Sequence, residues 1–278
     1  MQIAEERFMI FYLGTPAPKW LWETKKPLFV SRRTLSKLKS FKRATCRWAL
    51  DSGAYSEFTR HGKWNIEPDQ YIDEVHKWDI RIGNMDFCVI MDWPCYSFSV
   101  KATGKSVEYH QMKTIENYAY MLSEAPSLPW IASIQGNTIE EYVHHREMYE
   151  KEGFKLGRIG IGGIGTSRGS SSSAQAECRK IVEEMCDLHI HAFGIESLGI
   201  RAFGSYLMSA DSMAWTYRAW VLQRKYGQST PGHSHNRCNR CLPFALEWLK
   251  LIEYEMGKIE VISVSFRIKV REGKIILS

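Results

Sequence analysis

Four short segments hold the residues best suited to chemistry: Leu50-Asp51-Ser52-Gly53-Ala54, Val89-Ile90-Met91-Asp92, Ile134-Gln135-Gly136 and Met208-Ser209-Ala210-Asp211. In each, an apolar run closes on a polar side chain. Such a run reads as a buried parallel strand with the polar residue at its carboxyl end. In a β/α barrel those ends share one rim, where catalytic groups collect. Three carboxylates and a carboxamide on one rim suit acid–base or covalent work. Two carboxylates flanking a sugar support displacement at an anomeric carbon, one attacking and the other moving a proton. A carboxylate beside a carboxamide also suits the edge of a guanine-like base. Any one of these aspartates serves equally well as a helix N-cap. Together with Gln135 they point to a site.

The densest local cluster is His233-Ser-His235-Asn-Arg-Cys238-Asn-Arg-Cys241. Imidazole and thiolate are the ligands tetrahedral zinc prefers. Four protein ligands make a closed site, so a zinc ion here is structural, and the segment 230–256 is expected to be zinc-binding. The competing reading is a basic loop with incidental cysteines. The other five of the seven cysteines are scattered without a disulfide framework, which favours reduced thiols.

Gly162 and Gly163 lie in a glycine-dense run from Arg158 to Gly165. Glycine at a strand end permits positive φ and lets a flat ligand approach the backbone. The spacing does not match a dinucleotide fingerprint, and a tight turn alone also explains it. The serine-rich stretch from Gly165 to Ser173 follows. Its Arg168 either meets a phosphate or belongs to a plain linker.

The elements that must position these residues alternate along the chain. Strands are expected at Met9–Leu13, Trp48–Ser52, Phe87–Asp92, Trp130–Gln135, Arg158–Ile164, His189–Ile195 and Ser205–Asp211. Helices are expected at Pro68–Lys77, Val107–Ser123, Ile139–Glu152, Ala174–Cys186 and Leu242–Glu255. Alternation at this interval predicts an α/β fold, a (β/α)8 TIM-like barrel with an inserted zinc-binding loop near the C-terminus. The eighth strand is expected at Val261–Phe266, unless that segment forms a hairpin with Lys274–Leu277. At 278 residues the chain fits one such domain spanning 1–278.

Net charge is +6, which hints at a polyanionic partner. Lys25, Lys26, Arg32, Arg33, Lys37, Lys39, Lys42, Arg43 and Arg47 crowd one early segment, interleaved with Trp20, Trp22, Phe41 and Trp48. That pattern reads as a solvated helix face or as a nucleic-acid contact. No apolar run is long enough to span a bilayer, and the first residues lack a signal-peptide layout. A cytoplasmic protein without a membrane partner is expected.

In this order the segments resemble the tRNA-guanine transglycosylase superfamily. Asp51-Ser52-Gly53-Ala54 resembles its Asp-Ser-Gly-Gly, Ile134-Gln135-Gly136 its Val-Gln-Gly, and Ile161-Gly162-Gly163 its Ile-Gly-Gly. Ala210-Asp211-Ser212, with Thr216 and Arg218, resembles the nucleophile segment. His233-x-His235-x-x-Cys238 matches the spacing of its Cys-x-Cys-x-x-Cys zinc ligands. Within the superfamily, the short length, Pro27-Leu-Phe-Val-Ser31 and the His/Cys loop are most similar to the DpdA-type enzymes, which insert 7-deazaguanine bases into DNA. The resemblance implies Asp211 as nucleophile and Asp51 as acid–base group. It implies that Asp92, Gln135, Gly162 and Gly163 recognise the base, and that His233, His235, Cys238 and Cys241 hold structural zinc. It implies DNA and a 7-deazaguanine such as the 7-cyano form (preQ0) as substrates, with the same exchange on tRNA as the alternative, and room for accessory DNA-modification proteins. Arg32, Arg33, Lys42, Arg43 and Arg168 are then the expected phosphate contacts. The sequence departs from the family pattern at Ala54, at Trp93 and in the proximity of Cys241 to the other zinc ligands.

Overall fold

The computed structural model describes residues 9–165, 171–227, 233, 238–259, 269–271 and 274–276. Eight parallel strands close into a barrel in chain order: β1 (Ile10–Thr15), β2 (Leu28–Ser31), β3 (Trp48–Asp51), β4 (Met85–Val89), β5 (Trp130–Ile134), β6 (Arg158–Ile161), β7 (His189–Ala192) and β8 (Ser209–Ser212). β8 closes on β1, with Asp211 opposite Tyr12. The seven strands expected from sequence are all present: β3, β5, β6 and β7 begin where expected and end earlier, while β1, β4 and β8 are shifted along the chain. The eighth is corrected. It is β2, and it lies second in the ring. Only a single 3-10 turn (Pro18–Trp22) separates it from β1, so the strand–helix rhythm skips it. Val261–Phe266 lies outside the described residues. Near the C-terminus, β9 (Lys269–Arg271) and β10 (Lys274–Ile276) pair antiparallel in a sheet of their own.

The helices include α1 (Arg32–Leu35), α2 (Ala54–His61), α3 (Pro68–Ile82), α4 (Ser97–Thr103), α5 (Val107–Glu124), α6 (Ile139–Lys151), α7 (Ser172–Glu184), α8 (Ser197–Phe203), α9 (Ala214–Tyr226) and α10 (Leu242–Met256). α3 opens on Pro68, whose missing N–H costs nothing at a first helical position. α6 opens on Thr138, whose hydroxyl accepts the Glu141 N–H while the Glu141 carboxylate accepts the Asn137 N–H. The basic segment after β2 is helical only over Arg32–Leu35, so it is not the expected solvated helix face.

Two cores follow from strand alternation. Outward side chains such as Leu28, Val30 and Leu50 pack beneath the helices. Inward side chains of Tyr12, Phe29, Ala49, Phe87, Val89 and Ile131 fill the barrel, with Ile10 and Phe193 against them. Below them Asp86 accepts hydrogen bonds from the Tyr12 hydroxyl (2.7 Å) and from Arg47 Nε (2.7 Å). The interior is therefore a packed plug, and inward residues nearer the carboxyl ends form a polar layer above it: Ser31, Asp51, Ser133, Gln135 and Asp211.

Gly160 makes room for this plug. A Cβ there would lie 2.3 Å from the Phe193 ring. Gly160→Ala is expected to destabilise the fold by about 1–3 kcal/mol in urea unfolding. Combining it with Phe193→Leu should recover part of that loss, a coupling that a double-mutant cycle measures directly.

Candidate active site

Asp51 ends β3 and faces the barrel mouth. The next turn is possible because Gly53 adopts φ +83°, which brings its N–H back to the Asp51 carboxylate. The Ser31 hydroxyl from β2 gives a second hydrogen bond. Burial, reinforced by the negative charge of Asp211, pushes the Asp51 carboxyl up to about 6 despite these donors. A group with that value both holds and releases a proton near neutrality.

Asp92 lies beyond the end of β4, where a tight turn from Ile90 folds it back over the mouth. Its two oxygens have separate donors. Ser52 Oγ donates to Oδ1 at 2.8 Å, and Gln135 Nε2 donates to Oδ2. Burial first, with the Asp51 charge adding to it, raises the Asp92 carboxyl to about 7. The Gln135 carboxamide is itself oriented: its Oε1 accepts the Cys95 N–H at 3.1 Å. The structure thus joins Ser52, Asp92 and Gln135 by hydrogen bonds, with the Asp51 charge acting on Asp92 across the mouth.

Gly162 and Gly163 stand beside that group. A Cβ on Gly162 would come within 3.0 Å of the Gln135 side chain, so glycine is what lets the carboxamide lie flat here. The Gly162 N–H bonds Ile134 O in the ladder, and its carbonyl accepts from Tyr142 Oη at 2.6 Å. Gly163 takes φ +80°.

Asp211 projects inward from β8. Its Oδ1 accepts the Gly194 N–H at 3.2 Å and lies 3.4 Å from His191 Nε2. His191 was not among the candidates read from sequence. Its signal was a polar residue inside the apolar β7 run, at an inward position. Also missed was an aromatic step on the same rim. Tyr55, 57% exposed at the start of α2, meets the rings of Tyr96 and Phe98 at 5.6 and 5.3 Å, and those two stack on each other. Aromatic residues in loops carry no periodic signature, so spacing does not reveal them. The step offers a flat apolar face beside the carboxylates.

In the late loop, His233 Nδ1 lies 3.4 Å from Cys238 Sγ and 3.5 Å from Cys241 Sγ. One ligand atom from each converges within 4.8 Å, so the three form a group able to hold a metal ion. The two thiols are buried, and Cys241 immediately precedes α10. Soft donors gathered in this way fit zinc. His235 lies outside the described residues.

A family model described as DpdA, DeoxyPurine in DNA protein A, matches residues 8–269. The chain belongs to the DpdA family. This is the DNA deazapurine transglycosylase family that the motifs resemble, and the closed parallel barrel agrees with it. No curated protein matches the chain.

For a member of the DpdA family the placement of cations matters, because DNA is the family's substrate. Arg32 and Arg33 follow β2 directly and so lie on the mouth side, but both are engaged with carboxylates. Arg32 Nε donates to Glu74 at 2.7 Å, and Arg33 Nε lies 3.4 Å from Glu57. Lys42 and Arg43 lead into β3 at the opposite, amino-terminal end, where Arg43 Nη1 donates to Ile80 O at 2.6 Å. The structure does not bring these two to the mouth. Arg168 lies outside the described residues. Arg218 is exposed on α9, just after the Asp211 strand, as are Arg224 and Lys225, which sequence reasoning passed over. Arg224 lies over the exposed Trp220 ring at 4.7 Å. Among the described residues no helix is long and apolar enough to cross a membrane.

Two outcomes are expected. The Asp51 carboxyl is raised in the folded state, so its contribution is fully present below the unfolded value of 3.8 and is lost as pH rises through about 6. Asp51→Asn should therefore raise Tm by roughly 3–6 °C at about pH 8, with the gap closing toward about pH 4, in a thermal unfolding series. For the metal group, purified protein should carry about one zinc ion per chain by elemental analysis. His233→Ala or chelation should remove it and lower Tm by about 5 °C or more.

Proposed function

We propose that this chain exchanges guanine in DNA for a 7-deazaguanine base, with the 7-cyano form as incoming base, through a covalent Asp211–nucleotide intermediate. The observation that carries the reading is the pairing at the barrel mouth of an oriented carboxylate, Asp211, with a second carboxylate, Asp51, tuned to about 6. Two carboxyl groups in unlike environments take unlike roles.

A base stacked in duplex DNA cannot reach a recessed barrel mouth, so the target nucleotide is flipped out. The Tyr55 step and the Asp92–Gln135 pair then lie where a purine face and edge need partners. Asp211 attacks C1′ from the side opposite the base. An ester C–O bond forms, the C1′–N9 bond breaks, and its electron pair leaves with guanine, which takes a proton from Asp51 or from a water held there. The incoming base gives its N9 proton to Asp51 and attacks C1′. The ester bond breaks and returns the Asp211 carboxylate. Two displacements give net retention, and exchanging one glycosidic bond for another needs no external energy source.

Zinc fits as a structural ion on His233, Cys238 and Cys241, with His235 as fourth ligand by its spacing. Bound there, it would tie the late loop to α10 and take no part in the displacement.

Incubation with labelled guanine and either DNA or tRNA tests the reading. Label should enter DNA. Asp211→Ala should abolish exchange and the trapped adduct while DNA affinity changes by less than about threefold. Asp51→Asn should lower kcat by about 10²–10⁴-fold and remove the limb of the pH–rate profile near 6. Normal exchange by Asp211→Ala, or label entering tRNA alone, overturns it.

A further inference from the structure

His191 is wholly buried at the centre of the barrel, where the rings of Tyr12, Phe29, Phe87 and Phe193 enclose it at centroid distances of 6.0, 5.2, 5.0 and 4.9 Å. An imidazole in such a box is costly unless both nitrogens find partners. The groups facing both come from β8. Nδ1 lies 2.9 Å from Ser209 Oγ; Nε2 makes no formed hydrogen bond among the described residues, and the carboxylate facing it is Asp211, with Oδ1 at 3.4 Å. The register explains this: His191 pairs with Ser209, and Asp211 is two residues further along the same inward face.

The charge state follows from the surroundings. Burial lowers the His191 pKa, Asp211 opposes that shift, and Arg158 on β6 adds to it, leaving the net direction downward. Tyr12 is the other titratable neighbour, and its hydroxyl is spent on Asp86. The ring is therefore neutral and carries one N–H. A carboxylate only accepts hydrogen bonds, whereas a hydroxyl donates or accepts. Only one tautomer satisfies both neighbours: Nε2–H toward Asp211, with the Ser209 hydroxyl donating to Nδ1.

We infer that Ser209 and His191 form a tautomer lock that aims an N–H at Asp211 Oδ1 and so makes both of them positioning residues for the nucleophile. This rests on the role of Asp211 in the reading above. Oδ1 then has two donors, His191 Nε2–H and Gly194 N–H. Oδ2 is the oxygen left to attack C1′. In the ester, Oδ1 becomes the carbonyl oxygen and keeps both donors. When the ester C–O bond breaks, those donors stabilise the charge returning to Asp211, which makes the carboxylate a better leaving group. His191 neither gains nor loses a proton in either step. The 3.4 Å separation needs to shorten by a few tenths of an ångström, as catalytic hydrogen bonds do on substrate binding.

Nitrogen-15 NMR of histidine-labelled protein tests the lock without substrate. The His191 signals, assigned by their loss in His191→Gln, should show a neutral Nε2–H ring from about pH 6 to 8. Ser209→Ala should mix the two tautomers, and Ser209→Thr should restore one. A wild-type ring that is protonated or Nδ1–H overturns the inference, even if no nucleic acid proves to be a substrate. In base exchange, His191→Leu should lower kcat at least about 100-fold with KM within about twofold. His191→Gln, which keeps a donor, should recover at least about tenfold of that loss. Wild-type kcat in a folded His191→Leu protein overturns it too. Absence of exchange by the wild type would instead overturn the transglycosylase reading and leave the tautomer result to decide the lock.

Discussion

Ionisable oxygen crowded into a largely buried barrel mouth is the constraint on which the rest of the structure depends. Asp51, Asp92 and Asp211 are gathered at the same mouth, and burial penalises the charges of Asp51 and Asp92. The surrounding donors are the response: Gly53 N–H and Ser31 on Asp51, Ser52 and Gln135 on Asp92, Gly194 N–H on Asp211. At Asp51 and Asp92 they do not cancel the penalty. Asp51 and Asp92 remain near 6 and 7, where a proton can arrive and leave at ordinary pH.

The polar layer holds its shape because of what lies under it. The plug of Tyr12, Phe29, Phe87 and Phe193 gives the inward side chains a floor, and His191 passes through it to touch the acid above. Gly160 and Gly162 are spaces for specific neighbours, the Phe193 ring and the Gln135 carboxamide. The strand ends on the rim are pinned from outside as well. Tyr71 Oη donates to Val89 O at 2.6 Å and Gln111 Nε2 to Gln135 O at 2.7 Å. Precision at the mouth is thus distributed over both faces of the barrel.

Much of this was legible in the sequence. Apolar runs closing on Asp51, Gln135 and Asp211 mark strand ends because a parallel strand buried on both faces has to be apolar until it surfaces. Zinc-type spacing marked His233, Cys238 and Cys241 because close ligands report their own geometry. β2 escaped because Leu28–Ser31 is four residues long and only a 3-10 turn, with no helical pattern, separates it from β1. His191 escaped because the pairing of its two nitrogens depends on the β7–β8 register, which no local pattern encodes. The basic segment misled for a related reason. Its charges are consecutive in sequence, but β2 and β3 carry them to opposite ends of the barrel.

That division of charge bears on how a polyanion is received. Arg32 reaches Glu74 and Glu57 at 2.7 and 3.9 Å, and Arg33 reaches Glu57, so these cations tie α1 to α2 and α3 around the Asp51 turn. A buried ion pair broken on one side leaves an uncompensated charge, which makes such a group a brace for the rim and a poor hand for phosphate. Phosphate contact requires cations still facing water. The surface of α9, which begins at the mouth after β8, meets that requirement: Arg218, Arg224 and Lys225 are exposed along it with Tyr217 and Trp220, and the helix carries no carboxylate. The same strand-to-helix turn that presents Asp211 therefore leads straight into a surface whose charge would suit a polyanion, as the proposed exchange on DNA requires.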